Sequence, residues 1–448
     1  MGIAVIALAV YIALIIVMIA VLKRSVGEAL GVSFVVLCAF GGGDFLGLFA
    51  SGMAEAFSEP IVYAAMTFVF LGAIFVRTGL IDRMVGILNS LLGRMTGGAG
   101  YVSTVAAALF GAVSHGGSGN AAAVGAVTIP WMNRSHWPKH MSATIVAGNA
   151  GMGTVIPPSP SLLILAGSAA VAPVIGLEEL LLPGLVAAGY MLLYRLILVA
   201  VFVRRYGVEK VDRADLLGVG ESIRQGWWSL LVFVGVALPV VVTIGPLAQR
   251  AIDWIGESAH DTINIVVWIP ALMSVAAIIL GWKKLPHSAS GWFAMFRDSG
   301  PRFSAVGATV VFAFAASEVL TELGLGPQLG ELLSGFQAAP LLTVALVGIL
   351  VILVAGPLPS AATIATIGGV AFSVLTAAGV PPAAAVTAIL IFSSTEGASP
   401  PGAAPIYIAS GISQVNPVRT FLPLVSCYVI PMYALGIVVG MSWLPIVF

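Results

Sequence analysis

The 448-residue chain reads as an all-α polytopic membrane protein: two inverted repeats, about ten transmembrane helices and two re-entrant helical hairpins. Three observations predict this class. Only 38 of 448 residues are charged, or 8%, against roughly a quarter in soluble domains, and mean hydropathy is +1.08. Apolar runs of about 20 residues, the length that crosses a bilayer, recur along the chain. A shift of 243 positions lays one half over the other. So little charge excludes a soluble globular enzyme and a disordered chain. Zero formal net charge without a basic patch excludes a nucleic-acid binder. The surrounding solvent is lipid bilayer.

The expected spans are 3–22, 30–50, 60–77, 141–168, 182–203, 227–246, 262–281, 304–323, 384–411 and 421–445. The run 3–22 is too long for a signal-peptide core, and its basic pair, Lys23 and Arg24, follows rather than precedes it. Two further apolar stretches, 99–131 and 340–378, have centres that continuous helix does not tolerate. The first centre runs Ser114-His115-Gly116-Gly117-Ser118-Gly119-Asn120 and the second Gly356-Pro357-Leu358-Pro359-Ser360. Both read as hairpins that enter the membrane and turn back. This scheme puts 17 of the 19 Lys and Arg on the cytoplasmic side, as the positive-inside rule requires, with both termini outside.

Under the 243-residue shift Pro157-Pro158 falls on Pro400-Pro401, and Gly117-Ser118 on Ser360-Ala361. The amphipathic stretch 81–95 falls likewise on 324–338. Five spans per copy is an odd number, so the second copy, 227–448, is inverted relative to the first, 1–203. Inverted repeats with broken helices are a signature of secondary transporters. The charged stretch 204–226 reads as a solvated cytoplasmic linker. Cys38 and Cys427 lie far apart in apolar runs, which indicates neither a disulfide framework nor a thiolate metal site. His136 and His140 read as interfacial. No phosphate-cradling loop supports an ATP-driven pump, and no catalytic constellation stands out.

Chemistry concentrates where helices break, because freed carbonyls and amides at membrane depth must line a cavity or bind something. Span 141–168 breaks at Gly148-Asn149-Ala150-Gly151-Met152-Gly153-Thr154, ahead of Pro157-Pro158-Ser159. Its counterpart breaks at Ser393-Ser394-Thr395-Glu396-Gly397-Ala398-Ser399, ahead of Pro400-Pro401-Gly402. Hydroxyl, amide and open carbonyl oxygens are the hard ligands a small cation needs. One candidate cation site therefore joins Ser114, Ser118 and Asn120 to Asn149, Gly153 and Thr154. A second joins Ser360 and Thr363 to Thr395, Glu396, Gly397 and Ser399. Helix N-termini suit a substrate carboxylate, which makes Ser118, Gly119, Pro157, Ser159, Pro400 and Gly402 candidate substrate contacts. Glu396, the one acidic residue in a break, reads as a cation ligand or proton carrier; the bland alternative is a helix cap. Arg195 reads as snorkelling toward the inner interface, and Asp44, Glu318 and Glu322 as interfacial.

These motifs resemble the large membrane (permease) subunit of TRAP transporters, the tripartite ATP-independent periplasmic family. The resemblance runs from Gly111-Ala112-Val113-Ser114 through Ile129-Pro130-Trp131-Met132, Gly153-Thr154-Val155-Ile156-Pro157-Pro158-Ser159 and Leu182-Pro183-Gly184-Leu185 to Ser399-Pro400-Pro401-Gly402. It implies a Na⁺-coupled symporter of elevator type in the cell inner (cytoplasmic) membrane, with Na⁺ as coupling ion and no other cofactor. It further implies a small four-helix membrane subunit and a periplasmic or lipid-anchored substrate-binding protein as partners. Substrates would be organic acids such as C4-dicarboxylates, sialic acid or 2-oxo acids. The chain departs from the family pattern at His115 and Asn120, at Gly356-Pro357-Leu358-Pro359, and at Glu396, where glycine is usual. A stand-alone organic-anion carrier or cation/proton antiporter, and a non-transporting scaffold, are the alternative readings.

Overall fold

A computed structural model describes residues 2–22, 24–58, 60–111, 116–209, 218–243, 265–325, 328, 339–356 and 358–446. Every regular element among them is helical. By length and composition, five of these helices can cross a membrane, or up to seven if each of two bent pairs is one span. Shorter apolar helices, among them Gly98–Gly111 and Pro340–Ala355, complete the bundle.

The expected first hairpin consists of helices Gly98–Gly111 and Gly117–Arg134. Thr128 Oγ1 donates to Ser103 Oγ at 3.1 Å and Asn120 Nδ2 to the Ala107 carbonyl at 2.9 Å. Rising numbers on one arm therefore meet falling numbers on the other, so the arms are antiparallel. The second pairs Pro340–Ala355 with an 18-residue helix, Ser360–Ala377. Both broken spans are present as broken. Helix Lys139–Asn149 passes into a tight turn, Ala150–Thr154, and resumes as Pro160–Ala166. Helix Pro382–Ser393 passes into Ser394–Gly397 and resumes as Ala404–Ser413.

Three boundaries differ from expectation. The helix expected at 304–323 begins at Ala289 and runs to Glu322, bent by 54° around Pro301. Proline removes one hydrogen bond and clashes with the preceding turn, which bends a helix without ending it when neighbours hold both halves. The segment expected at 30–50 continues to Ser58 through Gly42, whose φ of +59° suits glycine. Part of the expected linker is helix Val219–Gly226. It docks on the amphipathic helix Leu80–Leu92, where the Ser222 hydroxyl donates to the Gly86 carbonyl at 3.0 Å. The stretch 210–217 and most of 324–338 lie outside the described residues.

Arg195 corrects a further expectation. It does not snorkel: only 1% of it is exposed, and its guanidinium lies 5.9 Å from the centre of the Tyr428 ring. It projects from the buried face of helix Leu177–Tyr206, beside Met191, Leu198 and Val199, and away from the exposed face that carries Leu193 and Ile197.

Candidate functional site

The two breaks pack back to back, and glycine makes that possible. A Cβ on Gly151 would lie 2.0 Å from the Ser394 carbonyl oxygen, and one on Gly397 would lie 2.5 Å from that of Ala147. Gly153 meets the first hairpin in the same way, its Cβ position falling 1.9 Å from the Gly111 oxygen. At each contact backbone touches backbone.

This packing brings Glu396 between the two hairpins. Its side chain is 5% exposed, and Oε1 accepts from the Gly117 N–H at 2.8 Å. Oε2 accepts from the Ser360 N–H. Gly117 and Ser360 each begin the second arm of a hairpin, and they are the very pair related by the 243-residue shift. Ser360 is also a hub for hydroxyls, accepting from Thr154 Oγ1 at 3.0 Å and Ser161 Oγ at 3.3 Å.

Below the second half of the first broken helix, Ser159 does two jobs. Its Oγ accepts from the Leu162 N–H at 3.1 Å, capping Pro160–Ala166, and donates to the Thr154 carbonyl at 2.5 Å. Pro160, at the first helical position, has no N–H to leave unsatisfied. Replacing Ser159 with Ala removes the cap and is expected to cost about 1 kcal/mol, read as a lower melting temperature of the purified protein. Unchanged melting would show that the cap contributes nothing.

Thr154, Ser159, Ser161, Ser360 and Glu396 line a cavity of about 10 Å³ together with Gly111, Gly116, Ala150, Gly153, Pro160 and Ala361. That is roughly the room one water-sized body needs. It fits a bare cation. Among the described residues that line it none is Lys, Arg or His, and their polar groups are oxygens. Among the described residues no group of three or more His, Cys, Asp or Glu could hold a transition metal.

The sequence candidates divide by placement. Gly153 and Thr154 of the first set share the cavity with Ser360 and Glu396 of the second, although the sequence assigns them to separate sites. Asn120 and Asn149 stand behind it. The Asn120 amide donates to Ala107 and Ala150 carbonyls, both at 2.9 Å, and the Asn149 amide to Thr104 Oγ1 at 2.9 Å. The Oδ1 atom of each is buried without a partner. Ser118 and Gly119 are exposed, and Gly402 is too. Pro157 and Pro400 are half-buried and outside the cavity wall. Thr363, Thr395 and Ser399 are buried and donate to carbonyls of their own segments. Gly397 serves the packing of the breaks, and Ser114 lies outside the described residues. Sequence reasoning passed over Ser161 and Gly117. Ser161 carried a legible signal, two positions after the cap of a broken helix. Gly117 acts through its main-chain N–H, which no side-chain pattern announces.

Residues 4–445 match the family model of the tripartite ATP-independent periplasmic transporter, DctM component. The chain belongs to that family. The DctM-component chain is 26% identical over 187 residues to a C4-dicarboxylate TRAP transporter large permease protein of Rhodobacter capsulatus, covering 39% of this chain and 42% of that one. It is 28% identical over 193 residues to a 2,3-diketo-L-gulonate TRAP transporter large permease protein of Escherichia coli, covering 43% and 42%. These alignments span about two fifths of each curated relative. In fold it is similar to the YdaH transporter of Alcanivorax borkumensis, with a TM-score of 0.67 over 89% of this chain and 90% of that one, at 15% identity. The chain is thus a polytopic membrane transporter subunit, and its regular elements among the described residues are helices.

Proposed function

We propose that the chain is the transport subunit of a symporter that imports a small organic anion, a carboxylate, on an inward Na⁺ gradient across the cell inner membrane. The observation that carries this reading is the convergence of both breaks and both hairpin starts on one cation-sized, oxygen-lined cavity. A buried carboxylate with no cationic partner is costly, and among the described residues none lines the cavity of Glu396. A bound Na⁺ would offset that cost, with Glu396, Thr154 and Ser360 supplying oxygens. The partnerless Asn120 and Asn149 Oδ1 atoms offer two further ligands close behind. The hairpins and breaks would move as one elevator unit against the remaining helices, which form the scaffold. The two repeats would be inverted copies. A small four-helix membrane subunit and an extracytoplasmic binding protein would complete the machine, as the family description's word tripartite supports.

The test is uptake of C4-dicarboxylates, sialic acid and 2-oxo acids into proteoliposomes that hold all three components. Uptake is expected to require an inward Na⁺ gradient, and uptake indifferent to replacing Na⁺ with choline at fixed pH would reject Na⁺ coupling. Asn120→Ala and Asn149→Ala are each expected to weaken Na⁺ activation by about 1–3 kcal/mol, the range for losing one buried polar partner. The measurement is half-saturating Na⁺, which rises about 5- to 150-fold.

A further inference from the structure

The contacts of Glu396 are those an external carboxylate would make. Ser159 and Ser25 cap from close by in sequence, on Leu162 and Glu28, whereas Gln328 reaches the Ala4 N–H across 324 residues but meets that one donor. The donors to Glu396 lie 279 and 36 residues away, one at the start of each hairpin's second arm. Two main-chain N–H groups from separate segments aimed at one carboxylate form an anion seat.

We propose that Glu396 is a tethered carboxylate filling a seat, formed by the Gly117 and Ser360 N–H groups, that receives the substrate's carboxylate, so that substrate enters by exchanging with Glu396. This rests on reading the chain as a carboxylate importer and adds how the carboxylate is held.

Three observations support exchange over simple capping. The donors recur at the 243-residue shift, but the acceptor does not: the position equivalent to Glu396 is Gly153. The seat is therefore a paired feature of the two hairpins, filled from one break only. Among the described residues lining the adjoining cavity, none is a Lys, Arg or His that could meet a substrate carboxylate. The other polar side chains described there are hydroxyls, and these two N–H groups are the donors that already hold a carboxylate. A second carboxylate beside a seated Glu396 would meet like charge in a low-dielectric wall. Exchange removes that conflict, because the displaced Glu396 is then free to hold the coupling cation.

The experiment is hydrogen–deuterium exchange of the purified full chain, resolved at the Gly117 and Ser360 amides, with succinate as probe and choline chloride at equal ionic strength as control. In wild type both amides are expected to be protected. In Glu396→Gly both are expected to exchange at least 10-fold faster, and succinate restores protection where chloride does not. Succinate is also expected to bind Glu396→Gly at least 10-fold more tightly than wild type, with no such gain for its neutral diamide. Glu396→Gln, which preserves shape, keeps one acceptor oxygen; it is expected to release one amide and to have it re-protected by succinate. It decides the matter if the glycine variant does not fold. Amides that stay exposed in succinate, or succinate affinity no higher than wild type, would overturn the seat. Missing Na⁺-driven uptake in the proteoliposome assay would overturn the importer reading alone, since protection by succinate needs no transport.

Discussion

Alanine at position 153 is expected to drive the first break off the first hairpin and to abolish uptake. Its Cβ would lie 1.9 Å from the Gly111 oxygen, 2.0 Å from the Gly111 carbonyl carbon and 2.4 Å from its Cα. All three are backbone atoms, which cannot swing aside as a side-chain tip can. Gly151→Ala is expected to act alike at the other contact, 2.0 Å from the Ser394 oxygen. Overpacking typically costs 1–3 kcal/mol, and more when backbone must shift, so each variant should lose about 3 kcal/mol. Misplacing Thr154 or Glu396 by even ~1 Å also spoils a cavity of this size. Gly119→Ala is the control, since nothing lies within 4 Å of its Cβ position. Melting curves and uptake of the three variants check this. A Gly151→Ala protein that melts with the wild type would rule out back-to-back packing of the breaks.

The second large effect concerns Arg195, where two substitutions are expected to move stability in opposite directions. Its Nε and Nη1 are buried with no hydrogen-bond partner, and no ion pair to it is found among the described residues. What it has is the face of Tyr428, and cation–π attraction in a desolvated place reaches about 2 kcal/mol. That offsets only part of the several kcal/mol needed to bury a guanidinium. Arg195→Met should therefore stabilise the protein, by about 1–4 kcal/mol if the precedent of buried ion pairs holds. Tyr428→Leu leaves the charge in place without its ring and should destabilise by about 2 kcal/mol or more. Tyr428 also lies flat on the first broken helix: a Cβ at Gly148 would sit 2.4 Å from its ring. The leucine variant should thus perturb uptake as well as melting. Equal losses of stability in both variants would mean that the guanidinium has a partner in the membrane, and the unpaired-charge account would fail.

The membrane class, the two hairpins and the two breaks were legible in the sequence because each follows from a local constraint. A bilayer demands apolar runs of fixed length, and centres such as Gly356-Pro357-Leu358-Pro359 or Gly151-Met152-Gly153 cannot continue a helix. Oxygen-bearing side chains at those breaks marked the site's neighbourhood for the same reason. Pairing was a different matter. The sequence joins each break to its own hairpin, whereas Thr154 of the first break bonds Ser360 of the second hairpin, and Glu396 bridges both hairpins. Those contacts span 206, 279 and 36 residues, and no local rule reaches so far. Ser118, next to Gly117, shows the angular side of the problem. Consecutive residues on a helix point about 100° apart, so a hydroxyl one position from the seat faces out. Arg195 shows the lateral side. Its depth along a helix is readable, but whether it reaches the interface depends on what packs beside it, and only the folded bundle places Tyr428 there.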